Sequence, residues 1–332
     1  MTAYKKETSE LLQKELVSAD SIFDYFETPL EELCNSLFLY YKKLIENNSD
    51  LYKIVEPNYF FFNNKTTVNA WAQAKKDSSI ISLNIGTINE LRNLFLNNDE
   101  LTEKIFGESV QKLNEILIEK KSSILNFMYH SSVIFLMNHE IGHLIQNNEN
   151  SEKKLNESIA DNQEFDVDNH IYEVDSDVFA SMKLSQDIHR IWKDFDEKYR
   201  TDKFLCNLIS LAVAGIGIFK LFNLNAEKNI YYKEKSHPHV AIRYIIIQET
   251  MIDYTSHLRN REISEELKNA TISNSFDYID ILNKWNQDDF FENFASISVN
   301  NAEEMTKYSN FLLSQISRNK NCSYYKIKNL KK

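Results

Sequence analysis

The chain has 332 residues, enough for one large domain or two ordinary ones with a substantial core. Its 38 basic and 49 acidic residues leave a net charge of −11, a balance that disfavours a nucleic-acid-binding protein as a whole. Three widely separated cysteines, Cys34, Cys206 and Cys322, argue against a disulfide framework and against a cysteine-based zinc site, and suit a reducing, cytoplasmic compartment.

Residues 1–21 mix Lys and Glu with scattered apolar side chains and lack the apolar stretch of a secretory signal. Thr28-Pro29-Leu30-Glu31 reads as a capping box with proline at the first helical position, opening an amphipathic helix that runs to about Asn47. Residues 59–62, 66–72 and 80–85 are rich in aromatic and β-branched side chains and read as short strands of a small sheet. An edge strand can hold an extended peptide by backbone pairing, and Asn69, Ala70 and Trp71 are the candidates for substrate binding of that kind. The alternative is an ordinary sheet strand with Trp71 in the core.

Residues 90–120 read as helical, and 122–146 as a long buried helix. Across that helix runs His139-Glu140-Ile141-Gly142-His143, an HExxH motif. Positions i and i+4 share one helix face, so both imidazoles can reach one metal ion while Glu140 stands beside the open coordination position. Two core histidines joined by hydrogen bonds are the rival reading. The apolar run from Val133 to Met137 and the pair Leu144-Ile145 weaken it, because a buried carboxylate needs a partner that a metal with its water supplies.

Residues 147–169 are polar and acidic without a clear period and read as a surface loop that covers or regulates a cleft. In the next segment Glu173 and Asp177 repeat the i, i+4 spacing. On a second helix Glu173 is a candidate third metal ligand, while Asp177 can accept the free ring N–H of a ligand histidine; Asp175 competes for the ligand role. Residues 187–223 read as helical. Their most apolar part, 204–219, is too short and too interrupted to span a membrane comfortably and reads as a buried helix. Ser236-His237-Pro238-His239 precedes a helical stretch from His239 to the end, and the basic tail 326–332 reads as a solvated, frayed terminus.

HExxH, Glu173-x-x-x-Asp177, the His237-Pro238 segment with Arg243 six positions after His237, and Asn69-Ala70-Trp71-Ala72 followed by the strand at 80–85 occur in one order. Together they resemble the HExxH/ExxxD gluzincin metallopeptidases, both the membrane-bound peptidases of the Ste24 and HtpX type and the intracellular Lit-like peptidases associated with phage exclusion. The likeness covers roughly residues 58–247.

The resemblance implies an α+β, predominantly helical fold with a zincin-like core and a small sheet beside the HExxH helix. It divides the chain into an N-terminal helical segment 1–57, the core 58–247 and a C-terminal helical segment 248–332. It also implies one zinc ion per chain on His139, His143 and Glu173, with Glu140 as general base. Asp177 then supports a ligand histidine from the outer shell. His237 donates to the oxyanion, a role open to His239 as well, and Arg243 orients its segment or pairs with carboxylates.

The expected activity is therefore zinc-dependent hydrolysis of a protein or peptide substrate, without nucleic acid and without membrane association. Two other classes stay open. One is a metal-binding interaction or toxin-like module without turnover, whose site Asp175, His170 or His239 would close; the other is a membrane-associated peptidase.

Overall fold

The computed structural model describes residues 2–46, 48–97, 108–146, 154–156, 165–222, 230–285, 294, 296 and 298–330. The chain is predominantly helical with one small sheet, and it divides into two compact units. The first comprises Met1–Glu90, His139–Ala160 and Arg318–Lys332; the second comprises Leu91–Asn138 and Asp161–Ser317. These boundaries differ from the three consecutive segments expected, because the units are assembled from stretches far apart in sequence.

In the first unit the sheet has the order β1, β3, β2, β4, with β1 at Asn58–Asn63, β2 at Ala70–Lys75, β3 at Ser78–Asn84 and β4 at Lys154–Asn156. Strands β1 and β3 run parallel, while β2 is antiparallel to both β3 and β4. The run Tyr59–Phe60–Phe61–Phe62 is buried throughout, as befits a strand covered on both faces. The helices Ala3–Gln13 and Glu31–Glu46 pack on β1. There Tyr4 meets Phe38 edge to face at 5.3 Å and Tyr41 stacks on Phe60 at 4.5 Å, geometries that add to the burial of large rings.

Several local expectations shift. The helix expected from Pro29 begins at Glu31; the Thr28 hydroxyl accepts from the Leu30 N–H, while the Glu31 carboxylate reaches back to the Glu27 N–H instead of that of Thr28. Strand β2 begins at Ala70, four residues later than its composition suggested, and extends through polar Gln73 and Lys75. A tight turn at Lys76-Asp77 sets its register, with Lys75 opposite Ser78, and ladder pairing with β3 outweighs side-chain preference.

Residues 64–69 are instead held as a loop. Thr87 Oγ1 both accepts from the Asn69 N–H and donates to its carbonyl, and the Gly86 N–H donates to Lys65 O. A Cβ at Gly86 would fall 2.0 Å from Thr66 O, so only glycine permits this approach.

The edge expected at Asn69–Trp71 is corrected as well. Strand β4 pairs with β2 at Trp71, Ala72 and Gln73, so that stretch of β2 is internal to the sheet and, among the described residues, the outer strand on that side is β4, while Asn69 precedes the strand. Trp71 is buried, in line with the core alternative. Of the loop expected at 147–169, residues 147–153 and 157–164 lie outside the described residues, 154–156 form β4, and the helix Val167–Lys193 takes up its end. The helical stretch expected at 90–120 resolves into Ile85–Phe95 and Glu108–Glu119, with 98–107 outside the described residues. Of the tail expected to fray, 326–330 lie in the helix Ser323–Leu330 and 331–332 lie outside the described residues.

The second unit is built from helices. Val167–Lys193 is capped at its start by Asp166, whose carboxylate accepts from the Asp168 N–H, and it packs against Val240–Arg259 and Ala302–Ile316. Asp202–Phe222 packs against Glu265–Trp285. It is long and apolar enough to cross a membrane by length and composition, yet 83% of its apolar window, Asp202–Phe219, is buried inside the protein. Its Ser210 hydroxyl is satisfied by Cys206 O and Thr271 O, which lets a polar group sit in that core at little cost. The HExxH helix, Ile124–Gln146, is common to both units: its first part belongs to the second and His139 onward to the first. Ser123 caps it by accepting from the Asn126 N–H.

Candidate metal centre

His139, Glu140 and His143 lie in the last two turns of the HExxH helix and all three are buried. The two imidazoles turn the same ring atom towards each other, with His143 Nε2 3.0 Å from His139 Nε2. Two nitrogens at about 2.0–2.1 Å from one tetrahedral zinc stand about 3.3 Å apart, so this pair needs little movement to share an ion. His139, His143 and Glu173 each offer a ligand atom, and these atoms all lie within 4.8 Å of one another. The donor set of two imidazoles and one carboxylate suits zinc and also cobalt or manganese, so the group can hold a metal ion without fixing which.

The partner of His143 was not anticipated. His143 Nδ1 lies 2.9 Å from Gln146 Oε1, three residues on along the same helix face. Beside Glu140 in the first unit is a second residue the sequence did not single out, Tyr41. Its buried hydroxyl is held well above its ordinary ionisation range by burial, then by the carboxylates of Glu7 and Glu140, and so remains a neutral phenol. Nothing in the neighbouring sequence announces either placement, because both depend on how distant segments pack.

In the second unit, Glu173 and Asp177 stand one turn apart on Val167–Lys193 and both are buried. They share Arg243. Its Nε and Nη2 donate to Asp177 Oδ2 at 2.6 Å and Oδ1 at 2.9 Å, a bidentate pairing, and Nη1 lies 3.1 Å from Glu173 Oε2. Asp177 was expected to orient a ligand histidine; the structure gives it Arg243, and it gives His143 Gln146. Arg243, expected to orient its segment or pair with carboxylates, does the second. The His237 ring lies beside the same carboxylate, with Nε2 3.7 Å from Glu173 Oε1 and Nδ1 2.9 Å from the Ser236 hydroxyl.

Three residues considered as extra ligands have other places. Among the described residues the metal-binding group contains Glu173 and not Asp175. His170 is a satisfied core histidine: Nε2 bonds to Lys235 O at 2.8 Å and Nδ1 to the Tyr308 hydroxyl at 3.0 Å. His239 caps the helix Val240–Arg259, its Nδ1 accepting from the Ala241 N–H at 3.1 Å. Pro238 therefore precedes the cap instead of occupying the first helical turn.

Burial, and secondarily the charge of Lys235, pushes His239 down from 6.5 to about 4. A histidine whose folded value is depressed is neutral in both states above the unfolded value. Its contribution to stability is thus complete above about pH 6.5 and is lost as pH falls towards 4. We expect His239→Asn, which retains a cap without titrating, to flatten the loss of denaturation midpoint between pH 6.5 and 4. The difference should reach at most about 3 kcal/mol, and an unchanged slope would remove His239 as its source.

No family model matches the chain, and no curated protein or solved structure matches it.

Proposed function

We propose that the chain is a zinc-dependent endopeptidase with a zincin-like core, hydrolysing peptide bonds in a protein substrate inside the cell, and that it acts as a phage-defence protease of the Lit-like kind. The observation that carries the reading is the buried His139, His143 and Glu173 group, with Glu140 adjacent in sequence to its first ligand. The Lit-like comparison is favoured over the membrane-bound peptidases because the one apolar helix of sufficient length among the described residues is mostly buried. The three cysteines are free and buried, which suits a reducing compartment.

Bound zinc would lower the pKa of a coordinated water and polarise the scissile carbonyl. Glu140 takes the proton from the attacking water and delivers it to the leaving amine. With Ser236 donating to His237 Nδ1, the ring carries its proton on Nε2, where it can donate to the oxygen that gains charge as the carbonyl becomes tetrahedral. Arg243 pairs with Glu173 and fixes its direction.

The test is the metal content of the purified chain beside His143→Ala and Glu173→Ala. One zinc per chain, lost or bound at least about tenfold more weakly in both variants, is the expected result. Undiminished binding in Glu173→Ala would move the third ligand elsewhere. A wild type that takes up no metal even when zinc is supplied would return the two histidines to a hydrogen-bonded core.

A further inference from the structure

We propose that Gln146 is a positioning residue for His143 and that the C-terminal helix Ser323–Leu330, through Lys326, holds the helical turn on which Gln146 sits. The proposal rests on the metal reading above and extends it to residues outside the motif. A carboxamide oxygen accepts and does not donate, so the 2.9 Å contact from His143 Nδ1 to Gln146 Oε1 puts the ring proton on Nδ1. That leaves the Nε2 lone pair facing His139 Nε2, the orientation a metal ligand needs.

Gln146 is the last described residue of the HExxH helix. The turn His143–Gln146 is buried, and Lys326 Nζ donates to Ile145 O at 2.8 Å and Gln146 O at 3.2 Å. The chain therefore brings a residue 180 positions away to the backbone of Gln146, and does so with its basic tail. Gln146 supplies an acceptor and Lys326 keeps that acceptor in register.

The test uses the full chain and two readouts. Zinc affinity is measured by competition with a chromophoric chelator. The His143 tautomer is read from imidazole 15N shifts in the metal-free protein, which a purely structural role for Gln146 would leave unmoved. Gln146→Ala should weaken zinc binding about 10–100-fold and populate the Nε2–H form of His143. Gln146→Glu restores an acceptor and should recover both. Lys326→Met should weaken zinc several-fold and broaden the His143 signals, with recovery in Lys326→Arg.

Zinc affinity and tautomer unchanged in Gln146→Ala would overturn the role of Gln146, as would equal losses in Gln146→Glu. Wild-type behaviour of Lys326→Met would overturn the role of the C-terminal helix. A wild type that binds no zinc refutes the proposed function instead, and the tautomer comparison still decides whether Gln146 directs the ring.

Discussion

Arg243→Met will lower stability by about 3–5 kcal/mol, the largest loss we expect from any single change outside the apolar core. The guanidinium is nearly buried and makes three polar contacts of 2.6–3.1 Å with two carboxylates that are themselves buried. Removing it takes three contacts from Glu173 and Asp177 where water does not replace the lost hydrogen bonds, and this reduced compensation of buried charge, not the pairing energy as such, makes the change costly. Arg243→Lys should recover little, because a single ammonium cannot reproduce the bidentate fork on Asp177 together with the third contact on Glu173.

The double variant Arg243→Met with Asp177→Leu should be more stable than Arg243→Met alone, since one of the two buried charges is then gone. Denaturant melts in the presence of a chelator, which keeps a metal from compensating Glu173, give these differences directly. A single-variant loss below about 1 kcal/mol would mean that the carboxylates find other partners and that Arg243 is not what holds them.

Features with a period or a motif could be read from the sequence, and features made by chain ends and crossings could not. The HExxH helix was legible because Val133 to Met137 and Leu144-Ile145 surround the polar triplet with apolar residues, and its observed bounds, Ile124–Gln146, differ from the reading by two residues at one end. Glu173 was legible by its spacing to Asp177, and it joins the two histidines in the metal-binding group. Residues with the right chemistry but an undetermined partner were harder to place. Asp177 could have faced a histidine or an arginine, and only the packing of Val240–Arg259 against Val167–Lys193 decides for Arg243.

Strand β2 misled for a related reason. Gln73 and Lys75 carry no strand preference, and they are extended because the two-residue turn at Lys76-Asp77 places them opposite Ile80 and Ser78. The edge reading failed because Lys154–Asn156, which has no strand pattern of its own, lies alongside β2. Gln146 and Lys326 carried no signal at all, since a helical turn met by a residue 180 positions away leaves no local trace.

Glu140→Gln should leave zinc bound one per chain and reduce peptide hydrolysis by at least about 10²–10⁴-fold. The two side chains have nearly the same shape, so a loss confined to turnover isolates the missing basic oxygen. Glu140 is buried in the helix between two candidate ligands that the change does not touch, and zinc affinity serves as the internal control for an intact site. The assay requires a pool of fluorophore-quenched peptides, wild type and variant side by side at equal zinc occupancy. Cleavage by the wild type and its loss in the variant would support a peptidase with Glu140 as its base. Equal cleavage by both would remove Glu140 from the chemistry and leave the ligand set intact. A wild type that holds zinc and cleaves no peptide would make the centre a binding element, with Glu140 serving to balance buried charge.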